Sequence, residues 1–166
     1  MKSLVATLIG PDKTGLVQQL ARLIRQHNGS WQGSAMSELA GHFAGIIEIQ
    51  VPDEHYQALA KALQTLPEFQ VQLVEGLAST PQGQTLRLTI TANDRLGIVD
   101  ELTSVLDSLN ISVKSLKTTS HPAPTTGTLL FEAHSTVVLP HGQTLDDLTG
   151  RLEALSDDLI VDIEPE

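Results

Sequence analysis

The segment Pro11-Asp12-Lys13-Thr14-Gly15-Leu16-Val17 returns 82 positions later as Asn93-Asp94-Arg95-Leu96-Gly97-Ile98-Val99. Each copy follows an apolar run that reads as a strand, and each precedes an apolar stripe at helical spacing. The likeness extends outward. Leu4-Val5-Ala6-Thr7-Leu8-Ile9 aligns with Leu86-Arg87-Leu88-Thr89-Ile90-Thr91, and Leu20, Ile24 and Asn28 meet Leu102, Leu106 and Asn110 at the same offset. Phe43 and Pro52 match Phe131 and Pro140 at an offset of 88, so the second copy has gained six residues. The loop-like stretch His121-Pro122-Ala123-Pro124-Thr125-Thr126-Gly127 is where they fit. A period this long exceeds that of solenoid repeats and equals a small domain. The chain therefore reads as one module written twice.

The repeat divides the 166 residues into a first domain over 1–78, a small, polar linker over 79–84 and a second domain over 85–166. Domains this short bury a modest fraction of their surface, so each half is expected to pack on the other or on a second chain, as in a homodimer. Ten basic residues against twenty acidic ones leave a formal charge of −10. The basic residues are scattered singly and aromatic residues are few, which argues against direct nucleic-acid binding. No apolar run is long enough to span a bilayer. Met1-Lys2-Ser3 leads straight into a strand pattern without a signal-peptide core, so a cytoplasmic location is the default expectation. Cysteine is absent, which removes disulfides, thiolate catalysis and cysteine metal sites together.

Leu4, Ala6 and Leu8 alternate with Val5, Thr7 and Ile9, the period of a strand. Leu16, Leu20, Leu23 and Ile24 fall on one helical face, and Asn28-Gly29 supplies the stop. A polar strand over Trp31–Leu39, a turn at Ala40-Gly41-His42 and a β-prone run over Phe43–Val51 follow. Pro52-Asp53-Glu54 opens a second helix with acid at its N-terminus, where the dipole favours it. Tyr56, Leu59, Ala60 and Leu63 are its stripe, and Phe69–Val74 alternates as a last strand. The second copy repeats this order, with strands at Leu86–Ala92, Ile111–Thr119, Thr128–Leu139 and Leu159–Ile163. The expected class is α+β, as two ferredoxin-like βαββαβ domains. In each, a four-stranded antiparallel sheet carries two helices on one face, and its other face is free to meet a partner. That face carries Val5 and Ile9 in the first copy but Arg87 and Thr91 in the second, so unequal burial is expected.

The doubled turn is the candidate binding site. The first turn of a helix leaves backbone N–H groups without intrahelical partners, and with the helix dipole they seat a carboxylate. Glycine permits close approach, and Asp12 or Asp94 can accept from an ammonium group. A turn offering both suits a zwitterionic amino acid. The structural alternative is that each Asp is a helix N-cap and each Gly merely serves the turn.

At these residues the chain resembles a pair of ACT domains, small ligand-sensing modules of amino-acid metabolism. The family pattern is a strand, an Asp-x-x-Gly turn followed by two apolar residues, and a helix. It stands here as Asp12-Lys13-Thr14-Gly15-Leu16-Val17 and Asp94-Arg95-Leu96-Gly97-Ile98-Val99. The resemblance covers nearly the whole chain, and Gly10-Pro11-Asp12-Lys13-Thr14-Gly15 is similar to the opening of the glycine cleavage system transcriptional repressor family. It implies a regulatory role with glycine or a similar amino acid as effector. By matching position it implies ligand contacts from Asp12, Lys13, Gly15 and Leu16 in one site and from Asp94, Arg95, Gly97 and Ile98 in the other. Asn28 and Asn110 are candidates for further polar contacts, against the plainer reading that they stop helices. The insertion near Pro122 and Pro124 is expected to alter one interface and leave one competent site.

Six histidines show no paired ligand spacing, so no metal is expected, and no cofactor. Asp146-Asp147 and Asp157-Asp158 read as solvated helix ends, no nucleophile-elbow motif surrounds Ser30, Ser34 or Ser37, and Trp31 reads as a packing anchor. No catalytic set emerges. The expectation is a non-enzymatic regulator that senses an amino acid and contacts a DNA-binding transcriptional regulator protein, because the chain is itself too acidic for DNA. The rivals are an interaction or oligomerisation module without ligand binding, and a small enzyme on the same scaffold.

Overall fold

Strand β1 (Lys2–Pro11) buries Leu4, Ala6 and Leu8 and turns Val5, Thr7 and Ile9 to the opposite face, as the period of two requires. The computed structural model describes residues 1–166. After β1 come α1 (Leu16–Gln26), β2 (Ser30–Leu39), β3 (His42–Val51), α2 (Asp53–Gln64) and β4 (Gln70–Glu75). The second series is β5 (Gln84–Asn93), α3 (Ile98–Ser108), β6 (Ser112–Pro122), β7 (Leu129–Leu139), α4 (Leu145–Glu153) and β8 (Ile160–Pro165). The chain divides into two units, Met1–Ser79 and Thr80–Glu166. Gln84, read as the last linker residue, already belongs to β5, where it pairs with Leu139.

Each unit is a four-stranded antiparallel sheet, ordered β2-β3-β1-β4 in the first and β6-β7-β5-β8 in the second. Each has its own core on the helix-covered face. In the first, Leu20 and Ile24 of α1 and Leu59 and Leu63 of α2 meet Leu4 and Ile49 of the sheet. In the second, Leu102 and Leu106 of α3 and Leu148 and Leu152 of α4 meet Leu86 and Leu88. Full burial of such a side chain contributes roughly 1.5–3 kcal/mol, so these stripes decide where the helices lie.

The duplication reaches the irregularities. The edge strand of each sheet slips register at a matching place, Trp31/Gly33 in β2 and Val113/Ser115 in β6. Both first helices end in the same motif. Asn28 takes φ 56° and Gly29 N–H reaches the Ile24 carbonyl at 2.9 Å, while Asn110 takes φ 55° and Ile111 N–H reaches the Leu106 carbonyl at 2.9 Å.

The copies part at the central hairpins. Ala40 and Gly41 join β2 to β3 with φ of 51° and 78°, the positive pair that tight hairpin turns demand. Strands β6 and β7 run longer and are joined by residues 123–128, closed by Ala123 N–H to the Thr128 carbonyl at 2.7 Å. The insertion lies where expected but is divided: His121 and Pro122, read as loop, extend β6 and pair with Leu130 and Leu129, and only residues 123–128 form the turn. The outer sheet faces differ too: Ile9, Ile46 and Val74 are 45%, 46% and 61% exposed in the first unit, whereas Arg87 stands exposed in the second.

Candidate functional site

Gly15 and Gly97 are the N-cap residues of α1 and α3, at φ 89° and 82°. Only glycine takes that backbone at no steric cost. A Cβ at Gly15 would meet nothing within 4 Å, so conformation and not crowding sets the residue. Neither helix start has a side-chain cap. This decides against the reading of Asp12 and Asp94 as N-caps: each lies three residues ahead of the cap position. Asp12 N–H is bound to the Gly41 carbonyl at 3.0 Å, and Asp94 N–H to the Leu129 carbonyl at 2.9 Å. The strand-to-helix turn is thus tied to the tip of the central hairpin, the point at which the second copy carries its insertion.

Around the first turn the functional groups are free. The Asp12 carboxylate and Lys13 ammonium make no side-chain hydrogen bond or ion pair within the unit, and the first turn of α1 holds no acid. A depression of about 130 Å³ opens there, lined by Asp12, Lys13, Gly15, Leu16, Val17 and Gln18 with Phe43 from β3. That is room for several waters or a few ligand atoms. A second depression of about 430 Å³ lies at the same end of the sheet, against Pro11, His42, Glu68 and Phe69.

Around the second turn the corresponding groups are spoken for. Ser120 Oγ donates to Asp94 Oδ2 at 2.6 Å. Arg95 grips Glu101 with both Nη atoms, at 2.7 and 2.5 Å. That fork holds the Glu101 carboxyl below its ordinary value and raises Arg95 above its own. The first turn of α3 carries Asp100 and Glu101 where α1 has Gln18 and Gln19. A carboxylate brought to α3 would meet these acids, whereas one brought to α1 would meet uncapped N–H groups and Lys13. Behind the turn, Asp158 accepts from Asn93 N–H at 2.7 Å, and the Ser156 hydroxyl and this N–H keep its carboxyl low. Pro11 stands at the matching place in the first unit and has no N–H to offer.

Asn28 and Asn110 do not join these turns. Each sits past the C-terminus of an eleven-residue helix whose N-terminus forms the turn. At 1.5 Å per residue that is about 16 Å away. Asn28 Nδ2 lies 3.0 Å from His55 Nε2, and the left-handed backbone accounts for asparagine at both positions. The contributors that sequence reasoning missed are Phe43 and Gln18 at the first turn and Ser120 and Glu101 at the second. For Glu101 a signal existed: a glutamine-to-glutamate exchange between copies beside a retained cation. No three His, Cys, Asp or Glu side chains come together as a metal site. No helix is long and apolar enough to cross a membrane.

Residues 2–75 match the model of the ACT domain family. The first unit is an ACT domain. The second repeats its topology and turn, so the chain is a pair of ferredoxin-like domains of which the first matches the ACT family. A solved structure of an unknown protein from Galdieria sulphuraria is similar at 25% identity, covering 99% of this chain and 98% of that one, with a TM-score of 0.87. A protein provisionally named a glycine cleavage system transcriptional repressor is similar in fold, with 17% identity, the same coverage of 99% and 98%, and a TM-score of 0.71. No curated protein matches the chain.

Proposed function

We propose that this tandem ACT protein is a non-enzymatic amino-acid sensor whose first strand-to-helix turn seats the effector. The observation that carries the reading is the contrast between the turns: the groups at Asp12–Leu16 are free and border an open depression, whereas those at Asp94–Ile98 are bound internally. A zwitterionic amino acid places its carboxylate on the uncapped N–H groups of α1, beside Lys13, and its ammonium on Asp12. Glycine or serine fits a depression of about 130 Å³ with its remaining wall supplied from outside the unit. The fold it shares with the provisionally named glycine cleavage repressor supports a role in repressing glycine cleavage genes. A formal charge of −10 directs that role through a DNA-binding regulator protein and not through DNA. Effector binding shifts the protein only as far as it favours one state over another.

Calorimetry across the standard amino acids tests the reading with the variants Gly15→Ala and Gly97→Ala. Binding of glycine or serine that weakens in Gly15→Ala and persists in Gly97→Ala is expected. Absence of heat at millimolar effector for the unaltered protein sinks the sensor reading. The alternative, an interaction module without ligand, is favoured by the apolar face that exposes Ile9, Ile46 and Val74. Co-purification from cell extract with and without glycine separates the two: a sensor's partner responds to glycine and a bare module's does not.

A further inference from the structure

On the outer face of the second sheet two cations and a histidine stand where the first sheet carries apolar or small residues, with Asp162 and Glu164 on the flanking edge strand. In the first unit Ala35, Ile46 and Thr7 stand in one cross-strand row, and Gly33, Glu48 and Val5 in the next. The matching rows of the second unit are Lys117, His134 and Thr89, then Ser115, Thr136 and Arg87. Lys117, His134 and Arg87 therefore occupy the places of Ala35, Ile46 and Val5. This unit holds only five Lys and Arg against thirteen Asp and Glu. Neither Arg87 nor Lys117 has an ionic partner within 4.0 Å, although Glu164 is the cross-strand neighbour of Arg87.

The two cations border one solvent-open depression of about 200 Å³ with Thr89, Ser115, His134 and Thr136. His134 is held upright as its wall, with Nε2 at 2.6 Å from Glu132 and Nδ1 at 3.3 Å from Thr89 Oγ1. Ser115 Oγ accepts from Thr136 N–H at 3.3 Å, which leaves the Ser115 hydroxyl proton for a ligand. Asp162 and Glu164 lie on β8, beyond β5 as seen from Lys117, and Glu132 is turned onto His134.

We propose that this depression binds a phosphate group, of a free ion or of a small phosphorylated metabolite, between Arg87 and Lys117. A guanidinium fork, an ammonium and the Ser115 and Thr136 hydroxyls outnumber the two oxygens of a carboxylate and suit the tetrahedral set of a phosphate. The site is separate from the turn of the first unit and rests on different residues.

Amide NMR of the full chain at constant ionic strength tests it, with inorganic phosphate, phosphoserine and acetate as probes. Saturable shifts at residues 87–89, 115–117 and 134–136 with either phosphate probe are expected, and the tighter of the two names the source. The double variant Arg87→Gln/Lys117→Gln is expected to weaken binding by about tenfold or more, the scale of one charged hydrogen bond. Exposed Lys117→Gln alone serves if the double variant fails to fold, and Gly15→Ala leaves the phosphate shifts unchanged. Absence of saturable shifts with both phosphate probes, equal affinity for acetate, or undiminished binding in the variants overturns the proposal.

Discussion

Two glycines with the same backbone hold two turns of different chemistry. Gly15 and Gly97 share a left-handed φ, and alanine there costs about 1–2 kcal/mol of backbone strain. With open space around a Cβ at Gly15, Gly15→Ala is expected to fold and to show that loss by urea denaturation. Arg95 and Glu101 make the second turn self-sufficient, and their pairing depends on pH. The Glu101 carboxyl is held below its unfolded value, so its contribution is present above the ordinary carboxylate range and is lost as pH falls through the folded value. Arg95 side-chain NMR signals are expected to change as Glu101 protonates. Glu101→Gln should bring that released state to neutral pH. If Arg95 is unaffected by the variant, the pairing does not shape this turn.

At the scale of elements, the two central hairpins carry the difference between the copies. The tight turn of the first places Ala40, a residue with a Cβ, at φ 51°. Ala40→Gly is expected to raise the thermal stability of the protein by about 1 kcal/mol, because the Cβ clash disappears. The Asp12–Gly41 and Asp94–Leu129 backbone bonds anchor each strand-to-helix turn to its hairpin tip. A six-residue change in the hairpin therefore reaches the turn directly. Much of this was legible in the sequence. The insertion, the helix stops at Asn28 and Asn110 and the inward stripes all follow from local patterns. The cap residue did not: Asp before a helix satisfies the usual rule, but here the helix begins at glycine and leaves its N–H groups uncapped.

At the scale of the molecule, each unit closes its own core, with Leu63 and Leu148 both fully buried. Leu148→Ala is expected to destabilise the second unit by about 2–5 kcal/mol, the usual cost of a leucine cavity. Hydrogen exchange should locate the loss among amides of residues 80–166 while the first unit keeps its protection. Equal loss in both units would show that they unfold together.

The sequence by itself determined the duplication, the order of strands and helices, and the inner face of each element, because periods of 2 and 3.6 are local properties of the chain. Its unequal outer faces were visible at Val5 and Arg87. Only the tertiary structure decided which turn has its polar groups already bonded, since Ser120 reaches Asp94 from 26 residues away and Asp158 reaches Asn93 from 65. It alone brought Lys117 and His134 beside Arg87, because strand register sets those neighbours. Local pattern specifies what each element must bury. Whether a polar group stays free for a ligand depends on partners that arrive from distant parts of the chain.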